Sequence, residues 1–419
     1  MKNLIKALVA FIIGFLLLIS PVVVAQTRLG FNLPPGKTKY TVPIELIGNL
    51  VVVKVILNNT LPLKFIVDTG IRTAILTDKT FTDLLNINYT RIIPIPGVGG
   101  KKLIDAYIAS GVSLDISGLK GTGHSLLVLE EDLLQLRNYL GHNIQGILGY
   151  ELFSRFIVEI NYRKKTMTFY EPEAFAKKKI SENKKYYAMP ITVEDTKPYC
   201  MARVVFYDGS EVQARLMLDT GASHALMLNE ESSSDIHIPD NKIRSHLGRG
   251  LGGDIIGEIA RVKLLDLDKF KFEHVITTFP DYQSYGQDYK KIYRNGTLGG
   301  GIFSRFKIIF NFMDGFVYMK KNSTYKNPFN YNMSGIIIKA HGLYLNKFEI
   351  IEVRENSSAR KADIKVGDKV IRINNQPTLN LKLDEINGLF NSKPNRVIRL
   401  ELSRDGQIIQ RKFKLAQII

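Results

Sequence analysis

The chain has 419 residues, 57 basic against 40 acidic side chains for a formal net charge of +17, 45% hydrophobic residues, and one cysteine. This balance excludes a disordered chain, and a single cysteine excludes an intramolecular disulfide framework or a Cys-rich metal cluster. The length predicts two or three domains, and the charge points to acidic partners such as nucleic acid or an anionic surface.

Lys2 and Lys6 precede an apolar run over 7–19, Ser20-Pro21 breaks it, and Val23-Val24-Ala25 sets small residues before Gln26. A positive start, a short apolar stretch and a small-residue site predict a secretory signal over 1–25, cleaved after Ala25. Left uncleaved, the run is apolar enough to act as a membrane anchor, but Pro21 interrupts its helix near the end. Export to a periplasmic, envelope-associated or secreted location excludes nucleic acid as a partner and leaves an anionic envelope surface.

Apolar runs at 51–57 and 63–67, separated by Asn58-Asn59-Thr60, predict a hairpin that ends in Asp68-Thr69-Gly70. Gly97-Val98-Gly99-Gly100 follows, and residues 130–140 carry helical apolar spacing. Next come Gly146-Ile147-Leu148-Gly149 and Phe153-Ser154-Arg155-Phe156. The lysine-rich stretch 173–185 reads as a solvated linker.

Beyond it the landmarks return in the same order and at nearly the same distances. Runs at 202–207 and 212–218 flank Asp208-Gly209 and lead into Asp219-Thr220-Gly221. Gly250-Leu251-Gly252-Gly253, Gly296-Thr297-Leu298-Gly299 and Phe303-Ser304-Arg305-Phe306 complete the repeat. Two homologous β-rich lobes are predicted, over 26–172 and 186–321.

Paired Asp-Thr-Gly loops suit one chemistry. Two carboxylates brought together cannot both ionise, so they share a proton. One takes a proton from water while the other polarises a peptide carbonyl. Gly70 and Gly221 remove side chains where the loops must meet, and Thr69 and Thr220 offer hydroxyls that can bond across the junction.

These residues resemble aspartic peptidases of the retropepsin-like and pepsin-like superfamily. The resemblance implies two β-barrel lobes around a central cleft, Asp68 and Asp219 as the catalytic pair, a peptide or unfolded-protein substrate, and no metal or organic cofactor. It implies further that Gly97 to Gly100 and Gly250 to Gly253 are flap tips over the substrate. Gly248-Arg249-Gly250-Leu251-Gly252-Gly253 also fits a dinucleotide pattern, but residues 254–264 read as strand, so no helix would receive the phosphates. Lobe 2 continues with Ala222-Ser223, as the family does; lobe 1 reads Ile71-Arg72 and loses a hydroxyl. Arg72 has three readings: toward Asp68, toward substrate carboxylates in the cleft, or paired with a surface acid. The departure keeps open a second function, a weak or inactive pseudo-peptidase serving as an envelope peptide-binding adaptor.

After a connector at 322–332, residues 333–419 change character. Ser358-Ala359 and Val366-Gly367-Asp368-Lys369-Val370-Ile371-Arg372-Ile373-Asn374 carry a resemblance to a PDZ domain, a small α+β fold. That likeness implies capture of a C-terminal peptide, with Gly342, Leu343, Tyr344 and Leu345 as the carboxylate-binding loop. Asp363 stands where a glycine is usual. His142, His224, His237, His246, His274 and His341 lack the paired spacing of a metal site, and Cys200 reads as a buried apolar residue.

Overall fold

A computed structural model describes residues 29–100, 103–285 and 293–419; the expected signal and its cleavage point lie outside them. Among the described residues the chain is mainly β, with its strands in four sheets.

In the first sheet, Leu50–Leu57 pairs antiparallel with Leu61–Val67, Val55 opposite Leu63. Val51, Val53, Val55 and Leu57 are buried while Lys54 and Ile56 point out, the period-2 pattern of a strand packed on one face. Asn58 and Asn59 both adopt left-handed φ (47° and 56°), the geometry of a tight hairpin turn that asparagine tolerates. Gly146–Leu148 then runs parallel to the end of the second strand, Leu148 opposite Val67. Asp68 emerges between these strands, its N–H bonded to Leu148 O (2.8 Å).

The second sheet repeats the arrangement. Lys197–Val205 pairs with Glu211–Leu218, and Gly296–Leu298 runs parallel to the latter, Leu298 opposite Leu218. Asp219 N–H bonds Leu298 O (2.9 Å).

A six-stranded antiparallel sheet joins the two lobes. Its central pair takes one strand from each, Ile157–Asn161 and Phe306–Asn311, with Val158 opposite Phe310. One continuous apolar core runs beneath both lobes, with Phe153 edge-on to Phe310 at 5.5 Å. The Asp loops are therefore held by a shared sheet rather than by a flexible joint.

The repeated Phe-Ser-Arg-Phe places an arginine in each lobe that pins a neighbouring segment. Arg155 Nη2 donates to Asn32 Oδ1 (2.9 Å). Arg305, itself buried, donates to Gly301 O (3.1 Å), Tyr325 O (3.1 Å) and Asn327 O, and lies 3.7 Å from the Phe329 ring centre. Arg305→Met should lower stability by about 2–4 kcal/mol, because several carbonyls lose their donor at once. Urea unfolding of the full chain measures this.

Two expectations need correction. The helix expected over 130–140 is confined to Leu136–Leu140. Asp132 Oδ1 accepts the Gln135 N–H (2.8 Å), and Gln135 turns left-handed (φ 50°), so side-chain bonding replaces the first helical turn. The 173–185 stretch is not simply solvated: Pro172–Ala176 is helical, and Phe175 is buried against Tyr170 and Tyr318 of the shared sheet.

The fourth sheet begins at the edge with Ile336–His341, followed by Lys347–Val353, Lys369–Ile373, Val397–Arg404 and Gln407–Lys414. Its own core, including Ile338, Phe348, Ile386, Phe390 and Leu400, is covered by the helix Leu383–Phe390. Asp363 adopts the left-handed φ (54°) that a glycine would take there. Arg411 and Arg404 bind its carboxyl and hold it down to about 2.

Candidate active site

The two Asp-Thr-Gly loops meet and interlock. Thr69 N–H donates to Thr220 Oγ1 (3.1 Å), and Thr220 N–H donates to Thr69 Oγ1 (3.0 Å). Each hydroxyl then donates across the junction, Thr69 to Leu218 O (2.6 Å) and Thr220 to Val67 O (2.8 Å). Both threonines are fully buried. Thr220→Ala leaves one N–H and one carbonyl unpaired in a dry junction, which should cost about 2–4 kcal/mol in chemical denaturation. Adding Thr69→Ala removes the other two bonds of the same junction and should cost less than the sum of the two, since the first change already loosens the loops that the second set joins.

This junction sets the carboxyl groups together. Asp68 Oδ1 accepts the Gly70 N–H (2.6 Å), Asp219 Oδ1 accepts the Gly221 N–H (2.8 Å), and a hydrogen bond joins the two carboxyls. Burial, and then the facing Asp219 charge, raise the Asp68 carboxyl well above the usual carboxylate range; the Gly70 N–H, and after it Lys197, offset part of this. The pair can thus hold one proton between two oxygens, the state needed to act as acid and base together.

The glycines differ. A Cβ on Gly221 would lie 2.3 Å from the Asp68 carboxyl carbon, whereas one on Gly70 would meet Asp68 Oδ1 at 3.0 Å and Asp219 Cγ at 3.4 Å. Ser223 is exposed, and its backbone carbonyl accepts from Asn49 Nδ2 (3.1 Å). Of its three readings, Arg72 takes the pairing with a surface acid. Its Nη1 lies 3.7 Å from Asp195 Oδ1, with the side chains 73% and 79% exposed, a surface pair worth little. Behind the loop, burial lowers the His224 imidazole to about 4 and keeps it neutral.

Both glycine stretches are hairpin tips, between Tyr89–Pro96 and Leu103–Ile116 and between Lys242–Gly250 and Gly253–Leu267. The tips grip each other. Gly252 N–H donates to Val98 O (2.7 Å), and Gly99 N–H to Ser284 O (2.6 Å). A Cβ on Gly250 would lie 2.1 Å from Val98 O, and one on Gly97 would lie 2.5 Å from Gly252 N, so backbone packs directly on backbone. Leu251 reaches across to an apolar cluster of the first lobe that includes Ile75, Ala106, Leu129 and Ile147. Ile147 is the residue before Leu148, whose carbonyl anchors Asp68. Sequence reasoning missed this crossing, which only the pairing of distant hairpins creates.

In the C-terminal domain, Gly342 to Leu345 forms the turn after Ile336–His341, with Leu343 75% and Tyr344 81% exposed. The end of the helix Leu383–Phe390 meets the opposite end of that strand, where Met333 N–H donates to Phe390 O (3.0 Å). Gly342, Leu343, Tyr344 and Leu345 thus lie at the end of the strand away from Phe390. The loop beside Phe390 is 332–335.

Residues 53–152 match the family model described as aspartyl protease, and residues 349–404 match that described as PDZ domain. No curated protein matches the chain. Among solved structures it is similar to basic 7S globulin from soybean at 11% identity, over 70% of this chain and 97% of that one, with a TM-score of 0.38. Conglutin gamma, a basic 7S globulin from lupine seeds, matches at 11% identity over 69% and 96%, TM-score 0.39. A retropepsin-like aspartic protease from Rickettsia conorii matches at 21% identity over 31% and 89%, TM-score 0.22.

Proposed function

We propose that this chain, which joins an aspartyl-protease-type domain to a PDZ domain, is an exported aspartic endopeptidase acting on peptides or unfolded proteins. The observation that carries the reading is the hydrogen-bonded pair Asp68 and Asp219, held by reciprocally bonded Thr-Gly loops. Asp68, whose proton is retained by burial, donates to the scissile carbonyl oxygen, and Asp219 takes a proton from a water. The water oxygen attacks the carbonyl carbon to give a tetrahedral diol. Proton transfer to the amine nitrogen and cleavage of the C–N bond release two peptides and restore the shared proton. The substrate lies extended beneath the flap tips, which exclude water from the reacting bond.

The N-terminal pattern Lys2 to Ala25 supports export to the periplasm or beyond. The proposal divides the chain into a signal over 1–25, lobes over 26–172 and 186–321 with a linker between them, and a PDZ domain over 333–419 after the connector 322–332. The PDZ domain binds a peptide end or a substrate segment.

A second reading, an envelope adaptor that binds peptides without cutting them, draws on Ile71-Arg72, which replaces the hydroxyl-bearing residue that lobe 2 keeps at Ser223. Incubation with denatured casein in 18O-labelled water separates the two. The peptidase yields fragments whose new carboxyl groups each carry one 18O; the adaptor leaves casein intact and bound.

A further inference from the structure

The first lobe reaches into the C-terminal domain through one short segment. The helix Leu136–Leu140 packs on Ile336–His341, the edge strand of the fourth sheet. Asn138 Nδ2 donates to Ala340 O (2.8 Å), a backbone acceptor on the open edge, and Lys339 Nζ donates to Gln135 Oε1. Gly141 closes against the helix Leu383–Phe390: a Cβ there would lie 2.5 Å from Leu383 Cβ. His142 Nε2 is 3.7 Å from Asp384 Oδ1 on the same helix. One segment thus touches both walls, strand and helix, of the slot into which an extended peptide would add as a further strand.

The same segment holds the second flap. The Tyr139 ring stacks on His246 (5.4 Å between centres, 7° between planes), and its hydroxyl donates to Asp254 Oδ1 (3.5 Å). Arg249 Nε donates to Leu133 O (2.7 Å) while Nη1 binds Asp254 (2.6 Å). These flap residues flank Gly250 to Gly253. The C-terminal domain grips the base of that hairpin as well: Glu352 accepts from Ser245 Oγ (3.0 Å) and from His246 N–H (2.7 Å), and Ile243 is buried in that domain's core.

We propose that residues 135–142 are a built-in occupant of the PDZ slot and tie the second flap hairpin to it, so that emptying the slot loosens the flap. An extended peptide that takes the edge of Ile336–His341 must displace Asn138 from Ala340 O, and Tyr139 then leaves His246. Flap opening, and under the peptidase reading substrate entry, is thereby coupled to occupancy of a separate domain. The coupling itself does not depend on catalysis.

Amide hydrogen exchange on the full chain tests it. Gly141→Leu drives a side chain into Leu383 at a left-handed position (φ +68°), and the double variant Asn138→Ala with Tyr139→Ala removes the bonds without adding bulk. Each should speed exchange at both 336–341 and 242–256 by about tenfold or more, the factor that ~1.4 kcal/mol represents. Exchange at 306–311 in the shared sheet should stay at its wild-type rate and reports intact folding. Faster exchange at 336–341 with an unchanged flap would overturn the coupling, and no change at either place would overturn the occupancy. Because exchange is read without substrate, a chain that cleaves nothing would contradict the peptidase reading and leave this result standing on its own.

Discussion

Asp68→Asn is expected to lower hydrolysis of denatured casein by about 10²–10⁴-fold, the loss typical when a positioned acid or base is removed. The same change should stabilise the protein at neutral pH. The folded-state value of Asp68 is raised, by burial first and the Asp219 charge second. Its favourable contribution is therefore complete below the ordinary carboxylate value of 3.8 and lost as pH rises through the raised folded value. At pH 7 a charge near a second carboxylate opposes folding, and the neutral amide removes it. Urea unfolding at pH 7 and pH 3.5 checks the sign: the gain from Asn should be present at the first and absent at the second. His224 works in the opposite window, because its lowered value of about 4 means stability is lost as pH falls from about 6.5 through 4. The pair wants acid for its proton while the imidazole behind it resists acid, so peptidase activity should peak between these limits.

Gly221→Ala should be nearly as damaging and Gly70→Ala much milder, although the two glycines are equivalent in the repeat. A methyl on Gly221 overlaps the Asp68 carboxyl at 2.3 Å, and the carboxyl is fixed by its bonds to Gly70 N–H and Asp219. Relief requires Asp68 to move by roughly 1 Å, and a misplacement of that size costs on the order of 10²-fold in rate. A methyl on Gly70 meets only tight contacts of 3.0 Å or more, one of them the flexible end of Met217. Comparing kcat/KM of the two purified variants decides this, and equal losses would show that the pair is less asymmetric than described.

Much of this is legible in the sequence, because the repeat writes the same local physics twice. Apolar strands ahead of Asp68 and Asp219, turns at Asn58-Asn59 and Asp208-Gly209, and glycine stretches ahead of long strands are each set by residues close in sequence. What escapes the sequence depends on partners far along the chain. Arg72 turns to Asp195, more than a hundred residues away, and nothing near Arg72 announces it. The glycine hairpin tips interlock because Val98 and Gly252 meet from different lobes. The strand Lys39–Pro43 pairs with Thr166–Tyr170, so the shared sheet is invisible to local pattern. The helix over 130–140 fails for a local reason, since Asp132 competes with the helix for the Gln135 N–H. In the C-terminal domain a glycine-containing turn at 342–345 attracts notice, while the loop beside the helix end, 332–335, carries only Gly335 to mark it.

The most direct measurement compares the full chain with its Asp219→Asn variant for appearance of new amino termini in denatured casein at pH 5 and pH 7. Two carboxyls working on one water predict cleavage by the wild type and a loss of at least about 10²-fold in the folded variant. Equal turnover by both forms would contradict the account.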